Sequence, residues 1–178
     1  MRTHKISIKR KKNFNLKYQK NKFVLLVEEE GRLDNDLPFD THISELIKKF
    51  IGSEAFKSLS LNKSISLDNP LTLKPNSILI VKVEKFVGNK ELFDFGKIIN
   101  TFKDGNTVSI IWSIDKPLTS TARTIQLRSY VFDKLKSGSK RSKDSAETIF
   151  FVDEKFSFPK FDLQKNDALA EGVFLARD

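Results

Sequence analysis

Phe23-Val24-Leu25-Leu26-Val27 is apolar at every position, and no other stretch constrains the fold of this chain as tightly. A strand with one wet face alternates apolar and polar residues, whereas a strand apolar throughout must be covered on both faces of its sheet. Ser77–Val83, Thr107–Trp112 and Thr148–Val152 read as further strands, and Lys5–Lys9, alternating Ile6 and Ile8 with polar residues, as a half-buried one. Leu71–Leu73 is expected to form a hairpin with Ser77–Val83 across Lys74-Pro75-Asn76. Helical stripes lie between these strands. Ile43, Leu46, Ile47, Phe50 and Ile51 recur at i, i+3, i+4, i+7 and i+8, with Asp40 or Thr41 as the cap and Gly52 at the end. Leu92, Phe95, Ile99 and Phe102 line a second helix ending near Gly105. Pro117 introduces a third, with Leu127, Val131 and Leu135 at fourfold spacing. Strands alternating with helices of this length imply an α/β layer fold with a mixed sheet between helices, and 178 residues fit one such domain.

Charge is distributed unevenly. The net charge is +9, and residues 1–22 hold nine bases and no acid, so the remainder of the chain is neutral. Such a segment can attract polyanions through counterion release, without regard to sequence. Lysines on an edge strand also discourage edge-to-edge pairing, and that plainer role suits the alternation around Ile6 and Ile8. The candidate nucleic-acid contacts are Lys9, Arg10, Lys11, Lys12, Lys17 and Lys20, together with Lys136, Lys140, Arg141 and Lys143 in a basic loop. Phe14 and Tyr18, interleaved with these bases, can stack on nucleotides or pack inward. The chain has no cysteine, which excludes disulfide scaffolds, zinc fingers and thiol nucleophiles and is compatible with a reducing cytosol. No apolar run reaches the ~18 residues of a membrane span, and no apolar stretch follows the basic start as in a secretory signal, so a cytoplasmic protein without membrane contact is expected.

Motifs of catalysis are sparse. His4 and His42 are the only histidines, and neither stands in a metalloprotease or nucleophile context. His42 is expected on the surface. Asp94-Phe95-Gly96 copies the magnesium motif of kinases but lies inside a helix without its partner motifs, so no metal role is assigned to it. Asp34-Asn35-Asp36 opens like a calcium loop, yet Pro38 and Phe39 stand where a further ligand and a glycine are needed, which makes it a turn. Asn62-Lys63-Ser64 is a glycosylation sequon with no secretory route. No catalytic or metal-binding residue is assigned anywhere in the chain.

The C-terminal stretch carries more information. In Ala168–Asp178, Leu169, Val173 and Ala176 share a helical face behind Asn166 or Asp167, and no stop signal follows, so the chain reads as a fragment. The string Asp167-Ala-Leu-Ala-Glu-Gly-Val-Phe-Leu-Ala-Arg-Asp178 resembles the passage of leucyl (cytosol) aminopeptidases from their N-terminal domain into their catalytic domain. Tyr130-Val-Phe-Asp-Lys-Leu-Lys136, Ser137-Gly-Ser-Lys-Arg-Ser-Lys143 and Thr148-Ile-Phe-Phe-Val152 resemble that family's helix end, basic loop and returning strand. Order and spacing agree over about residues 120–178, and the first hundred residues agree in element order alone.

That resemblance implies a three-layer α/β/α macro-domain-like fold over residues 1–165, with residues 166–178 beginning the linker helix to a catalytic domain. It implies a non-catalytic domain whose full-length parent is a hydrolase, a metal-dependent leucyl aminopeptidase with two divalent ions, manganese or zinc, working as a cytoplasmic hexamer. The family's ligand string Asn-Thr-Asp-Ala-Glu-Gly-Arg does not occur here, so this domain itself is expected to hold no cofactor. Its partners are expected to be its own catalytic domain and hexamer neighbours, and the isolated piece to be a monomer. Macro domains proper bind ADP-ribose through glycine-rich loops, but this chain has seven scattered glycines and Val81-Lys-Val-Glu-Lys-Phe86 where glycines often follow the central strand, so nucleotide binding is not expected. The alternative is a basic α/β module that contacts nucleic acid without sequence preference.

Overall fold

The computed structural model describes residues 4–14, 22–31, 37, 39–68, 77–84, 87–104, 106–114, 117–128 and 147–156, with 168 and 172. Among the described residues the elements follow in the order β1 (Lys5–Arg10), β2 (Lys22–Glu28), α1 (Thr41–Ile51), α2 (Glu54–Lys57), β3 (Ser64–Asp68), β4 (Ser77–Val83), α3 (Asn89–Lys103), β5 (Val108–Trp112), α4 (Thr119–Arg128) and β6 (Glu147–Val152), with a 3₁₀ turn over Lys11–Asn13 after β1. One mixed sheet has the order β1-β6-β5-β2-β4-β3, and only β3, antiparallel to β4, breaks the parallel direction.

The period-2 geometry of strands sorts the apolar residues into two cores. Val24, Leu26, Leu79, Val81, Ile110, Trp112 and Phe150 meet α3 and α4 on one face. Phe23, Leu25, Val27, Ile78, Ile80, Ile149 and Phe151 meet α1 and α2 on the other. Each fully buried residue of this size contributes roughly 1.5–3 kcal/mol. Both faces of Phe23–Val27 are therefore covered, as its unbroken apolar run requires.

Local signals set the helix starts. Asp40 caps α1, its Oδ1 accepting from the Ile43 amide at 2.9 Å, and Ile43, Ile47 and Ile51 are buried beneath it. Leu46, at the margin of that stripe, stays 48% exposed, because α1 buries a face narrower than its apolar pattern. Helix α3 ends at Asp104, which adopts the left-handed conformation at φ 44°.

Two expectations need correction. The antiparallel partner of β4 is Ser64–Asp68, not Leu71–Leu73. As the outer strand it half-buries Ile65 and Leu67 on one side, so its short alternation suffices; residues 69–76, including Lys74-Pro75-Asn76, lie outside the described residues. Helix α4, the one expected after Pro117, also buries a different face. Ala122 and Ile125 point to the core together with Thr121 and Thr124, while Leu127 is only half-buried; Val131 and Leu135 lie outside the described residues. Threonines are tolerated there because their hydroxyls donate to backbone carbonyls, Thr121 to Leu92 at 2.6 Å and Thr124 to Ser120 at 3.0 Å.

Those threonines leave room for Gly96. A Cβ on this α3 residue would overlap Thr124 and stand 2.7 Å from the Thr121 carbonyl oxygen. The Asp94-Phe95-Gly96 string is thus a packing device: Phe95 fills the core, Gly96 admits α4, and Asp94 pairs with Lys97 at 2.6 Å on the surface. On the opposite core Lys82 is 95% buried in β4, and its ammonium donates to the Lys57 carbonyl at 2.9 Å, closing the C-terminus of α2.

Candidate functional site

In an open parallel sheet a ligand crevice forms at the carboxyl ends of the strands where neighbouring connections leave in opposite directions. Here that point lies between β2, whose chain passes on toward β4, and β5, whose chain passes toward β6. Glu28, Glu29 and Glu30 leave β2 at this end. Their loop is tied to the sheet by the Glu29 amide donating to the Val83 carbonyl at 3.1 Å, and Gly31, at φ 70°, turns the chain away. Across the crevice the Ser113 hydroxyl donates to the Leu26 carbonyl at 2.9 Å. The nearby N-terminus of α3 begins at Gly88, and a Cβ there would stand 2.6 Å from Glu91 Oε2, so that helix end already faces a carboxylate of its own. Carboxylates oppose a diphosphate at a position where phosphate sites present amides and cations.

Beside this crevice is an open cleft of about 450 Å³. Glu29, Glu30 and Gly31 form the side belonging to β2, and Lys48, Ile51 and Gly52 of α1, with Phe56 and Lys57 of α2, form the rest. The acidic run at the exit of β2 is visible in the sequence. The lysines and Phe56 reach it only through the packing of α1 and α2.

Of the basic residues singled out from the sequence, Lys9, Arg10, Lys11 and Lys12 are described; Lys17, Lys20, Lys136, Lys140, Arg141 and Lys143, like Tyr18, lie outside the described residues. Arg10 donates to the carbonyls of Asp153 at 2.6 Å and Phe156 at 2.8 Å. Lys11 pairs with Asp153 at 2.9 Å, Lys12 with Glu154 at 3.1 Å, and at the other end of β1 Lys5 pairs with Glu147 at 3.1 Å. The cluster thus fastens edge strand β1 to β6, and Phe14 turns inward, its ring 5.2 Å from that of Phe151. Phosphates must compete with those carboxylates. Duplex DNA held at low salt is accordingly expected to be released near physiological salt, and replacement of Lys9, Arg10, Lys11 and Lys12 by Gln to abolish retention. Sequence-selective, sub-micromolar binding at physiological salt in a mobility-shift assay refutes this.

His42 is exposed in the first turn of α1, as expected. His4 is not. Its Nε2 lies 2.9 Å from the Thr148 hydroxyl and its Nδ1 3.0 Å from the Lys103 ammonium, in a polar cluster at the amino end of β6 where both partners are buried. Burial, and then the Lys103 charge, lower its pKa from 6.5 to about 4. The ring is therefore neutral at pH 7, accepting from Lys103 through Nδ1 and donating to Thr148 through Nε2. No sequence signal links residues 4, 103 and 148. Among the described residues no group of three or more His, Asp or Glu side chains converges to hold a metal ion, and no helix is long and apolar enough to cross a membrane.

No family model matches the sequence, and no curated protein matches it. Solved structures do match in shape. The macro domain of ganglioside induced differentiation associated protein 2 is 12% identical and aligns with 93% of this chain and 84% of its own at a TM-score of 0.55. The fold is macro-domain-like. The macrodomain of Thermus aquaticus DarG is again 12% identical, covering 84% of this chain and 97% of its own at a TM-score of 0.51. A tomato leucine aminopeptidase variant, 17% identical, aligns with 99% of this chain at a TM-score of 0.64. This chain spans 38% of that aminopeptidase's length. The three-layer α/β/α arrangement with a mixed central sheet is thus found as the sequence implied.

Proposed function

We propose that this chain is the non-catalytic N-terminal domain of a leucyl-aminopeptidase-type enzyme, whose separate catalytic domain releases N-terminal residues from peptides using two divalent metals. The observation that carries this reading is coverage. The aminopeptidase aligns with 99% of the chain at a TM-score above those of the two stand-alone macro domains. The Asp167–Asp178 string supplies independent support through its resemblance to that family's interdomain passage.

Catalysis is assigned to the other domain on chemical grounds. Two-metal hydrolysis needs several carboxylates converging on ions about 3.5–4 Å apart. Among the described residues, Glu147, Asp153 and Glu154 instead pair with lysines of β1 and the turn after it, Glu54 and Asp94 pair with lysines on their own helices, and Glu29 and Glu30 crown the exit of β2. Manganese or zinc then belongs to the catalytic domain. In the cytoplasmic hexamer this domain sits outside the central contacts, steadies its neighbours and shapes access to the active site, and alone it is a monomer.

The 178-residue chain is expected to give no turnover of leucyl p-nitroanilide with added manganese or zinc. The product of the coding sequence continued past Asp178 is expected to hydrolyse it. Metal-dependent turnover proportional to the concentration of the pure short chain overturns the proposal, as does a continued reading frame without metal-ligand motifs.

A further inference from the structure

The edge strand β1 is held by different chemistry at its two ends. At the carboxyl end the Arg10 guanidinium donates to the carbonyls of Asp153 and Phe156 at 2.6 and 2.8 Å, and none of these groups titrates near neutral pH. At the amino end the anchor is His4, whose Nδ1 accepts from the Lys103 ammonium at 3.0 Å and whose Nε2 donates to the Thr148 hydroxyl at 2.9 Å. Nδ1 holds the first contact only while it keeps its lone pair. A second proton on the ring deletes that acceptor and sets two cations 3.0 Å apart beside the buried stem of Lys103. The surroundings do not offset this charge. Lys103 faces the ring from the end of α3, with Asp104 exposed beyond it. Helix α4, which also packs on β1, carries Arg123 and Arg128 and no acid. On β6, Glu147 is engaged by Lys5 at 3.1 Å, and among the described residues no acid pairs with His4.

Strand β1 is also easy to lift. Its sheet neighbour is β6 alone, and its residues are half-buried or exposed, whereas β6 is buried from Thr148 to Val152. Local opening draws on such weakly buried elements, at free energies well below that of global unfolding. We propose that His4 is a proton-operated latch, whose protonation releases the amino end of β1 from β6 and α3 while Arg10 keeps the carboxyl end attached and the core stays folded. The closed latch has a pKa of about 4, and lifting the strand returns the ring toward its ordinary 6.5. Between those values an opened strand takes up the proton that the closed one refuses, which holds it open. A histidine buried anywhere weakens a whole chain in acid. Here the geometry confines the first loss to one end of one strand.

Amide hydrogen exchange of the 178-residue chain at pH 7.5 and pH 5.0, expressed as protection relative to an unstructured chain at each pH, tests this. The protected amides of Lys5, Ile6 and Ser7 are expected to lose about tenfold in protection at the lower pH, those of Lys9 and Arg10 much less, and those of the buried Leu25, Ile80 and Ile110 none. His4→Gln keeps a donor and an acceptor at this position without titrating, and its first three β1 residues are expected to be protected equally at both pH values. Core protection at pH 7.5 shows whether that variant folds. Nitrogen NMR of the unaltered chain gives a second reading, with the His4 proton expected on Nε2 and the lone pair on Nδ1 at pH 7.5. The proposal is overturned if Lys5, Ile6 and Ser7 lose no more protection than the core, or if the folded His4→Gln chain shows the same loss. A proton on Nδ1 at pH 7.5 overturns it whether or not the variant folds.

Discussion

Gly96→Ala is expected to lower the unfolding free energy by about 2 kcal/mol, although alanine is the better helix former by about 1 kcal/mol. The added Cβ would meet the Thr121 carbonyl oxygen at 2.7 Å and overlap the Thr124 side chain. A carbonyl engaged inside α4 cannot step aside as the end of a flexible side chain can. Either α4 moves off α3 or α3 bends, and each opens the core containing Phe95, Ile99, Ala122 and Ile125. For a chain of this size the cost corresponds to roughly 4–8 °C in melting temperature. Gly52→Ala is the matched control. At Gly52 the backbone is right-handed at φ −73°, and a Cβ finds ordinary contacts of 3.6 and 3.7 Å. That substitution is expected to be neutral or to stabilise by about 0.5 kcal/mol, through loss of chain entropy in the unfolded state. Urea denaturation of the two variants decides the matter: equal midpoints would show that α3 and α4 do not need the glycine.

Acid should weaken this protein through a single histidine before most of its carboxylates protonate. The folded chain holds His4 at a pKa near 4, against 6.5 for an unperturbed histidine. Between those values the unfolded chain takes up a proton that the folded chain refuses. The contribution to stability is therefore fully present above pH 6.5, falls as pH drops toward 4, and changes no further below that. The whole shift corresponds to roughly 3 kcal/mol, and to about 2 kcal/mol after allowance for the ring's partial exposure. Glutamine at this position can still donate to Thr148 and accept from Lys103 but does not titrate. Unfolding free energies of the unaltered chain and of His4→Gln, measured from pH 7.5 to 4.5, are expected to diverge below pH 6.5. Both chains carry the same carboxylates and differ only at residue 4, so the difference isolates the histidine. Parallel curves would mean that His4 stays solvated and that its contacts with Lys103 and Thr148 do not persist.

The first-turn cap of α1, the unbroken apolar run of β2 and the edge character of β1 were legible because each rests on a signal within a few residues. Hydrophobic spacing reports a period, and a cap needs one side chain and one nearby amide. The same logic misplaced the partner of β4 and the buried face of α4. A short alternating strand such as Ser64–Asp68 becomes an edge only when a neighbour presents a free side, and Thr121 and Thr124 become core residues only when Gly96 arrives opposite them.

The sequence by itself determined the layer class, most of the strands and helices, and the absence of any metalloprotease motif from this chain. Tertiary structure alone decided the order β1-β6-β5-β2-β4-β3, which brings Arg10 onto the Asp153 carbonyl and Lys11 and Lys12 onto the carboxylates of Asp153 and Glu154, and so engages these three of the nine N-terminal bases within the fold. It also decided that His4 meets Lys103, 99 residues away, and that Glu29 and Lys48 share one cleft. The physical reason is common to all three. Periodicity and capping are local, whereas charge pairing and pKa depend on burial and on distances of a few ångströms that exist only after distant strands have paired.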